Sequence, residues 1–333
     1  MGSSRVLITG GAGYIGSHVV HQMLEAGYDL TVVDNLSTGF RRAVPEGVKF
    51  HELDLGNETE LIDVFRQGRF DALIHFAADV QVGESVEKPA MYYRNNTVNS
   101  LRLFDLASRF GVRSTVFSST ASVYGESRPG LLREDAATEP INPYGWSKLM
   151  SERILHDIAF SSAGALRFVV LRYFNVAGAR PDLMIGQSTS NATRLIKIAA
   201  ECAAGVRSGM SIFGTDYPTL DGTCERDYIH VEDLSRAHLD ALAYLARGGA
   251  SETFNVGYGH ATSVRAVIDT MKSVSKVAFR VTESPRRAGD PAILAADTSK
   301  IRRVLSWSPR YDDLREICGS AYQWELKLRE MKP

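Results

Sequence analysis

The sequence predicts an α/β protein built on a doubly wound parallel sheet, with a smaller C-terminal α/β lobe. Three observations predict it. Short apolar runs alternate with stretches of helical period through the first half of the chain. The first run passes straight into a glycine-rich turn and then a helix. After about Asn175 the alternation loosens into helices, short strands and longer loops. Strands that alternate with helices pair in parallel through right-handed crossovers, because only a helix-length connection returns the chain in the same direction.

Each element follows from its residues. Arg5 to Thr9 is a short β-branched and apolar run bounded by glycine, and so a strand. An amphipathic helix follows to about Ala26. Runs of the same kind place strands at Leu30 to Val33, Val48 to Leu53, Ala72 to His75, Ser114 to Ser118 and Phe168 to Arg172. Helical periods fill the gaps at Leu61 to Gln67, Tyr93 to Phe110 and Tyr144 to Phe160. In the second half, Ala192 to Ala204, Val231 to Leu245 and Val264 to Val274 read as helices. Ser211 to Phe213, Thr253 to Val256 and Ala278 to Val281 read as strands. Trp307 and the Tyr322-Gln323-Trp324 stretch read as packing residues. The expected division is 1–175 for the first domain, with 231–257 packing back onto it, and 176–333 for the second lobe. No Pro/Gly/Ser linker marks the boundary.

Composition narrows the function. The 38 Lys+Arg residues balance 39 Asp+Glu, a formal charge of −1, so there is no basic field for nucleic acid or an acidic membrane. An anionic ligand must then be held by local arginines and backbone N–H groups. The three cysteines, Cys202, Cys224 and Cys318, are far apart and form no CxxC pair, which argues against a disulfide framework or zinc site and fits a reducing cytosol. Met1-Gly2 is the start of a myristoylation pattern, but Val6 stands where Ser or Thr is wanted. No signal peptide and no membrane span are expected, because no apolar run approaches ~18 residues. The Asn57, Asn95 and Asn191 triplets match a glycosylation pattern that has no meaning without a signal peptide. A cytoplasmic protein is expected.

The glycine turn reads TGGAGYIGS, with Gly10, Gly13 and Gly16 in a GxxGxxG spacing. Glycine permits the tight strand-to-helix turn, a close approach of backbone to a pyrophosphate, and close helix–sheet packing. A ligand there meets the amides and the positive dipole end of the helix. The second strand ends in Asp34, close to the ~20-residue offset of a ribose ligand. A carboxylate at that point accepts from both ribose hydroxyls and repels a 2′-phosphate, which favours NAD over NADP. Arg41 and Arg42 lie too far on for an obvious phosphate clamp. A βα turn without a cofactor is the alternative. Asp54-Leu55 and Phe76-Ala77-Ala78 follow the third and fourth strands. They could meet the adenine and let the backbone approach the ligand, or be ordinary loop entries. The whole reads as Rossmann-like.

Tyr144 and Lys148 stand four apart at a helix start, after Asn142-Pro143, and share one face. A phenol titrates near ~10, too high for a base at neutral pH. A fixed ammonium nearby favours the phenolate and brings it into range. Such pairs also occur by chance on helices. The fifth strand ends in Ser118-Ser119-Thr120, where a hydroxyl can donate to a substrate oxygen, or where the chain merely turns. His230 and His238 beside Glu232 and Asp233 could suggest a metal. The run from Val231 to Leu234 reads instead as a helix start with acids in its first turn, so no metal is expected.

With these motifs in this order, the chain resembles the extended short-chain dehydrogenase/reductases. Within them it is similar to the sugar-nucleotide 4-epimerases that act on UDP-glucose and UDP-galactose. The residues that carry the resemblance are TGGAGYIGSH (9–18), VDNLSTG (33–39), HFAADVQVGESV (75–86), SSTASVYG (118–125), NPYGWSK (142–148), LRYFNVAGA (171–179), IFGTDYPTLDGTCERDYIHVEDL (212–234) and RRAGD (286–290). It implies Tyr144 as the acid/base, Lys148 as the ribose ligand that tunes it, and Thr120 as an aid to proton transfer. It implies an NAD site of Gly10, Gly13, Tyr14, Ile15, Asp34, Asn35, Asp54, Leu55, Phe76, Ala77, Ala78, Asn95, Ser118, Tyr144, Lys148, Tyr173 and Phe174. It implies a UDP-sugar site of Thr120, Tyr144, Asn175, Leu195, Ser211, Ile212, Phe213, Arg226, Arg287, Asp290 and Leu294. Guanidinium forks at Arg226 and Arg287 suit a diphosphate.

There are departures from the pattern of the relatives. Val80 stands where some of them have a lysine near the cofactor, Arg194 at an implied substrate-contact position that is often Asn or His, and Val176 in place of a proline. Leu294 stands at the position implied to gate N-acetylated sugars. The resemblance further implies a homodimer through the helices at Tyr93 to Phe110 and Tyr144 to Phe160. Other readings on the same scaffold are an epimerase or decarboxylase of UDP-N-acetylglucosamine, UDP-glucuronate or a UDP-pentose. A 4,6-dehydratase needs an Asp-Glu pair where Ala121-Ser122 stand. A non-catalytic NAD-binding sensor usually lacks the Tyr or the Lys.

Overall fold

Residues 4–126, 130–189, 192–287 and 290–331 are described by the structure, a computed structural model. Met1-Gly2, Asn191 and the Ala288-Gly289 step of RRAGD lie outside the described residues. In β1 (Arg5–Thr9), Val6 and Ile8 pack into one face of the sheet and Leu7 into the other. That two-sided burial is why the strand reads as an unbroken apolar run. The chain continues through α1 (Tyr14–Glu25), β2 (Asp29–Asp34), β3 (Lys49–Glu52), α2 (Glu58–Gly68) and β4 (Ala72–His75). Then come α3 (Val82–Glu87), α4 (Pro89–Tyr92), α5 (Asn99–Arg109), β5 (Ser114–Thr120), α6 (Pro143–Ser161) and β6 (Arg167–Tyr173). The second half holds β7 (Asn175–Ala177), α7 (Leu195–Ala203), β8 (Gly209–Phe213), β9 (Glu225–Arg226), β10 (Tyr228–His230), α8 (Val231–Ala246) and β11 (Glu252–Val256). It closes with β12 (Thr262–Ser263), α9 (Val264–Ser275), β13 (Arg280–Ser284), β14 (Ile293–Leu294), α10 (Ser299–Leu305) and α11 (Leu314–Met331).

The central sheet has seven strands in the order β11-β6-β5-β4-β1-β2-β3, all parallel. The doubly wound sheet expected from the alternation is therefore present. Strand order reverses between β1 and β4, which opens a crevice at their carboxyl ends. Val19, Val20 and Met23 of α1 share one core with Leu234, Ala237 and Ala241 of α8. Leu61, Phe65, Leu103, Phe104 and Leu155 from α2, α5 and α6 fill the other face. β11 joins the sheet from the second half of the chain, with Thr253 opposite Val170.

Local chemistry sets the ends. Asn142 accepts from Gly145 N at 2.8 Å, and Pro143 supplies the fixed φ of the first helical turn, so α6 begins there. The other strands form small pieces, β7 with β10, β9 between β12 and β14, and β8 with β13.

Three element starts differ from the sequence reading, and further helices are present. The helix expected from Tyr93 opens with a π-helical turn, Tyr93–Val98, before α5. α7 begins at Leu195, which leaves Ala192 to Arg194 outside the helix. β13 lies later than the expected Ala278 to Val281, because its pairing with β8 sets its register. α10 and α11 are additional helices; Trp324 on α11 is buried, and Lys197 on α7 forms a buried ion pair with Glu325 of α11. No helix among the described residues is long and apolar enough to cross a membrane.

Candidate active site

A cavity runs along the carboxyl ends of β1, β2 and β4. It is lined by Gly10, Gly13, Tyr14 and Ile15, by Asp34 and Asn35, by Asp54 and Leu55, by Phe76 to Ala78, and by Asn95, Tyr144, Tyr173 and Arg194. Most of the residues expected to hold a cofactor therefore face one space. Gly10 has φ +74°, and a Cβ there would lie 2.5 Å from Ala77 N. Gly16 packs so closely that a Cβ would meet the Gly10 carbonyl at 2.2 Å. Gly13 is different. Its nearest neighbour would be the Gly10 carbonyl at 3.3 Å, so the protein itself leaves room, and the space in front of Gly13 is cavity. No side chain caps α1 at Gly13. Amides and open space together form a cradle for a diphosphate.

Asp34 closes the far end of β2. Its Oδ2 accepts from Ala12 N at 2.9 Å and its Oδ1 from Leu36 N at 2.8 Å. Burial pushes its carboxyl pKa up, and these two backbone donors pull against that. Each oxygen keeps a lone pair for a ribose hydroxyl. Asn35 donates to Asp54 Oδ2 at 2.8 Å, and Asn95 donates to Asp79 Oδ2 at 2.9 Å, which fixes this wall. A dinucleotide fits this set: glycine cradle, acidic ribose ligand and small residues at Ala77 and Ala78.

At the other end sits Tyr144, 7% exposed. Burial raises its pKa, while a hydrogen bond from the Thr120 hydroxyl and the charge of Arg194 lower it. Thr120 is fixed in turn by accepting from Ser122 N at 3.1 Å. The sequence assigned the tuning cation to Lys148. Lys148 is buried one turn after Tyr144, with its ammonium 4.8 Å from the centre of the Phe117 ring, and the Arg194 charge also bears on the Tyr144 phenol. Burial lowers the Lys148 pKa to about 7, against the pull of Glu152. Glu152 accepts from Ser119 and is forked by Arg172, whose Nη2 lies 2.6 Å from Oε2.

Ser118 does not line the cavity. It donates to His238 Nε2 at 2.8 Å, because His238 Nδ1 donates to the Leu234 carbonyl at 2.9 Å. Ser118 also hydrogen-bonds Tyr173, so it holds that cavity residue from behind. Phe174 lies in a separate apolar cluster with Ala121, Val123 and Tyr124, and Leu294 packs against that cluster. His230 bonds Ser320, and Asp233 accepts from Tyr258 Oη and from the Arg310 and Tyr311 amides, so this stretch anchors α8.

Several of the expected sugar-nucleotide residues are neighbours of one another. Pairing of β14 with β9 sets Leu294 opposite Arg226, and Arg226 Nη2 lies 3.4 Å from Asp290 Oδ1. The Arg287 guanidinium sits 3.7 Å over the Phe213 ring. In β8, Met210 and Ile212 face the core, while Ser211 and Phe213 face outward. Ile212 can therefore meet a ligand only through its backbone. Asn175 is exposed in β7, and Leu195 is half-buried at the start of α7. The sequence reading missed the Glu152–Arg172 pair and the cavity-facing Asp79 and Glu84. The pair had a signal: Arg172 directly after the apolar run FVVL, and an acid four residues after Lys148.

Comparison with known proteins gives three findings. Residues 6–257 match the model of the NAD dependent epimerase/dehydratase family. The chain is 51% identical over 328 residues to the UDP-glucose 4-epimerase of Azospirillum brasilense, covering 98% of this chain and 94% of the relative. Among solved structures it is similar to the UDP-Glc/GlcNAc 4-epimerase of Campylobacter jejuni, at TM-score 0.87 and 50% identity over 98% of this chain and 100% of that one. It is also similar to the UDP-glucose 4-epimerase of Brucella ovis in complex with NAD, at TM-score 0.93 and 40% identity, over 97% and 99%.

Proposed function

The chain belongs to the NAD dependent epimerase/dehydratase family, and on that premise we propose that it interconverts UDP-galactose and UDP-glucose through a transient 4-keto sugar. The observation that carries the reading is the shared cavity. The Tyr144 hydroxyl, hydrogen-bonded by Thr120, opens into the same space as Gly13 and Asp34. Gly10, Gly13, Asp34, Asp54, Asn95 and Tyr173 hold NAD, and Lys148 holds its nicotinamide-side ribose. Bound NAD supplies the two-electron acceptor and donor for the sugar carbon and brings a positive charge with it.

The chain's own residues do the rest. Tyr144 Oη takes the proton of the sugar 4-hydroxyl and later returns one. Thr120, held by Ser122 N, donates to the oxygen whose charge changes, which lowers the cost of the phenolate. Arg226 and Arg287 hold the diphosphate, and Asp290 holds the ribose. The keto sugar then turns about its diphosphate link and presents its other face, so that C4 would regain a hydride from the bound cofactor and its oxygen a proton from Tyr144, with inverted configuration. Leu294, backed by the Ala121–Phe174 cluster, bounds the sugar end. In this reading 1–175, with 231–257 packed back onto it, is the cofactor-binding domain and 176–333 the sugar-nucleotide lobe.

A homodimer completes the proposal. Val98 at the end of the π-helical turn, Leu101 on α5, and Trp146 and Met150 on the adjacent α6 are exposed. We place the protein in the cytoplasm, on the ground that its cysteines are free and buried.

The test incubates the purified protein with UDP-galactose and no added cofactor, and follows UDP-glucose by chromatography. Product is expected. Tyr144→Phe should fold, keep NAD and lose activity by about a thousandfold, within the usual range for an acid/base group. Near-wild-type turnover in that variant would sink the assignment.

A further inference from the structure

The charges along the cofactor cavity do not balance. Its described lining carries Asp34, Asp54, Asp79 and Glu84 against a single cation, Arg194. A dinucleotide diphosphate adds two more negative charges to this space. The amides at the start of α1 meet part of that charge, but their dipole is a fraction of one unit.

Arg194 is placed to meet the rest. It stands immediately before α7 and outside the helix, so its position is set by the α7 start rather than by a strand end. It is half-buried, and among the described residues its guanidinium has no carboxylate or hydrogen-bond partner. Its charge acts on Tyr14, the first residue of α1 after the glycine turn, and on Tyr144 and Tyr173 at the chemical end. It lines the same cavity as all three. The sugar-nucleotide residues Phe213, Arg226, Arg287 and Asp290 do not line this cavity, whereas Gly10 and Gly13 do. An unpaired guanidinium in the cavity that the glycine turn lines is a fork for the cofactor's phosphates rather than the substrate's.

We propose that Arg194 is a cofactor-binding residue that neutralises the diphosphate of bound NAD from the side opposite the glycine turn. α7 thereby becomes part of the cofactor site, and the second lobe closes on the dinucleotide through one charge. This rests on the reading that the cavity holds NAD.

The experiment compares the full-length wild type with Arg194→Gln and Arg194→Lys. Three ligands are titrated calorimetrically: NAD and ADP-ribose on protein stripped of nucleotide, and UDP on protein saturated with NAD. ADP-ribose keeps the diphosphate and lacks nicotinamide. Arg194→Gln should weaken NAD and ADP-ribose alike, by about tenfold to a hundredfold, and leave UDP within about twofold, as expected for loss of a charge-assisted contact. Arg194→Lys should keep most of the affinity, and raising the salt should narrow the gap between wild type and Arg194→Gln. Unchanged NAD and ADP-ribose affinity in Arg194→Gln overturns the proposal, as does a loss confined to UDP. Equal losses in Arg194→Lys and Arg194→Gln overturn the charge argument. Failure of the wild type itself to bind NAD would overturn the cofactor reading instead, so the two failures are told apart.

Discussion

At the scale of single residues, burial governs the chemistry of the site. Tyr144 and Lys148 were recognisable as a pair from their spacing, but spacing does not say how each titrates. The structure buries both, and burial raises the phenol and lowers the ammonium. Lys148 then has a consequence for stability. Its folded pKa of about 7 lies below its unfolded value, so the unfolded chain binds more protons between those two values. Stability from this group therefore rises with pH across that window. Below about 7 the buried ammonium costs its full desolvation, and above the unfolded pKa the cost vanishes. Lys148→Met should melt higher than wild type at pH 7 in the nucleotide-free protein, by on the order of a few kcal/mol. The difference should shrink towards pH 10. Thermal unfolding across that range checks it, and a pH-independent difference would contradict the burial argument.

At the scale of elements, the site depends on how α6 is tied to the sheet. Asn142 and Pro143 start the helix, which sets Tyr144 in its first turn. One turn after Lys148, Glu152 is forked by Arg172 from β6, and Arg172 also donates to Tyr124 Oη at 3.1 Å. Tyr124 Oη donates to Asn255 on β11 at 2.6 Å. This buried chain links three elements behind the reacting tyrosine. Breaking such a pair leaves an uncompensated charge, so Arg172→Met should cost about 3–5 kcal/mol in denaturant unfolding. Adding Glu152→Leu should recover part of that loss, because the stranded carboxylate is gone. No recovery in the double variant would mean that the pair serves packing rather than charge.

At the scale of the whole molecule, the exposed apolar residues on α5 and α6 lie on neighbouring helices, and packing two such pairs together would bury all of them. In the proposed homodimer, Leu101→Glu places a charge at the centre of that contact. It should shift sedimentation from dimer to monomer at micromolar concentration while NAD binding persists, since α5 carries no proposed cofactor ligand. A wild type that sediments as a monomer would remove the proposal altogether.

The sequence by itself determined the parallel sheet, because βα alternation, two-sided apolar strands and a glycine turn are all local patterns. It also determined the order of the site along the chain: glycine turn, Asp34, Thr120, then Tyr144. Those residues sit at strand ends or helix starts, positions that a run's last residue or a cap such as Asn142 announces. Tertiary structure decided what depends on neighbours distant in the chain. It put β11 beside β6, turned Ile212 inward, and gave Ser118 to His238 rather than to the cavity. It brought Arg194, at the start of α7 and fifty residues further along, into the cavity that Tyr144 lines. A pattern within one element can specify which face of it is buried. Which charge meets which depends on contacts between elements, and no local pattern carries that.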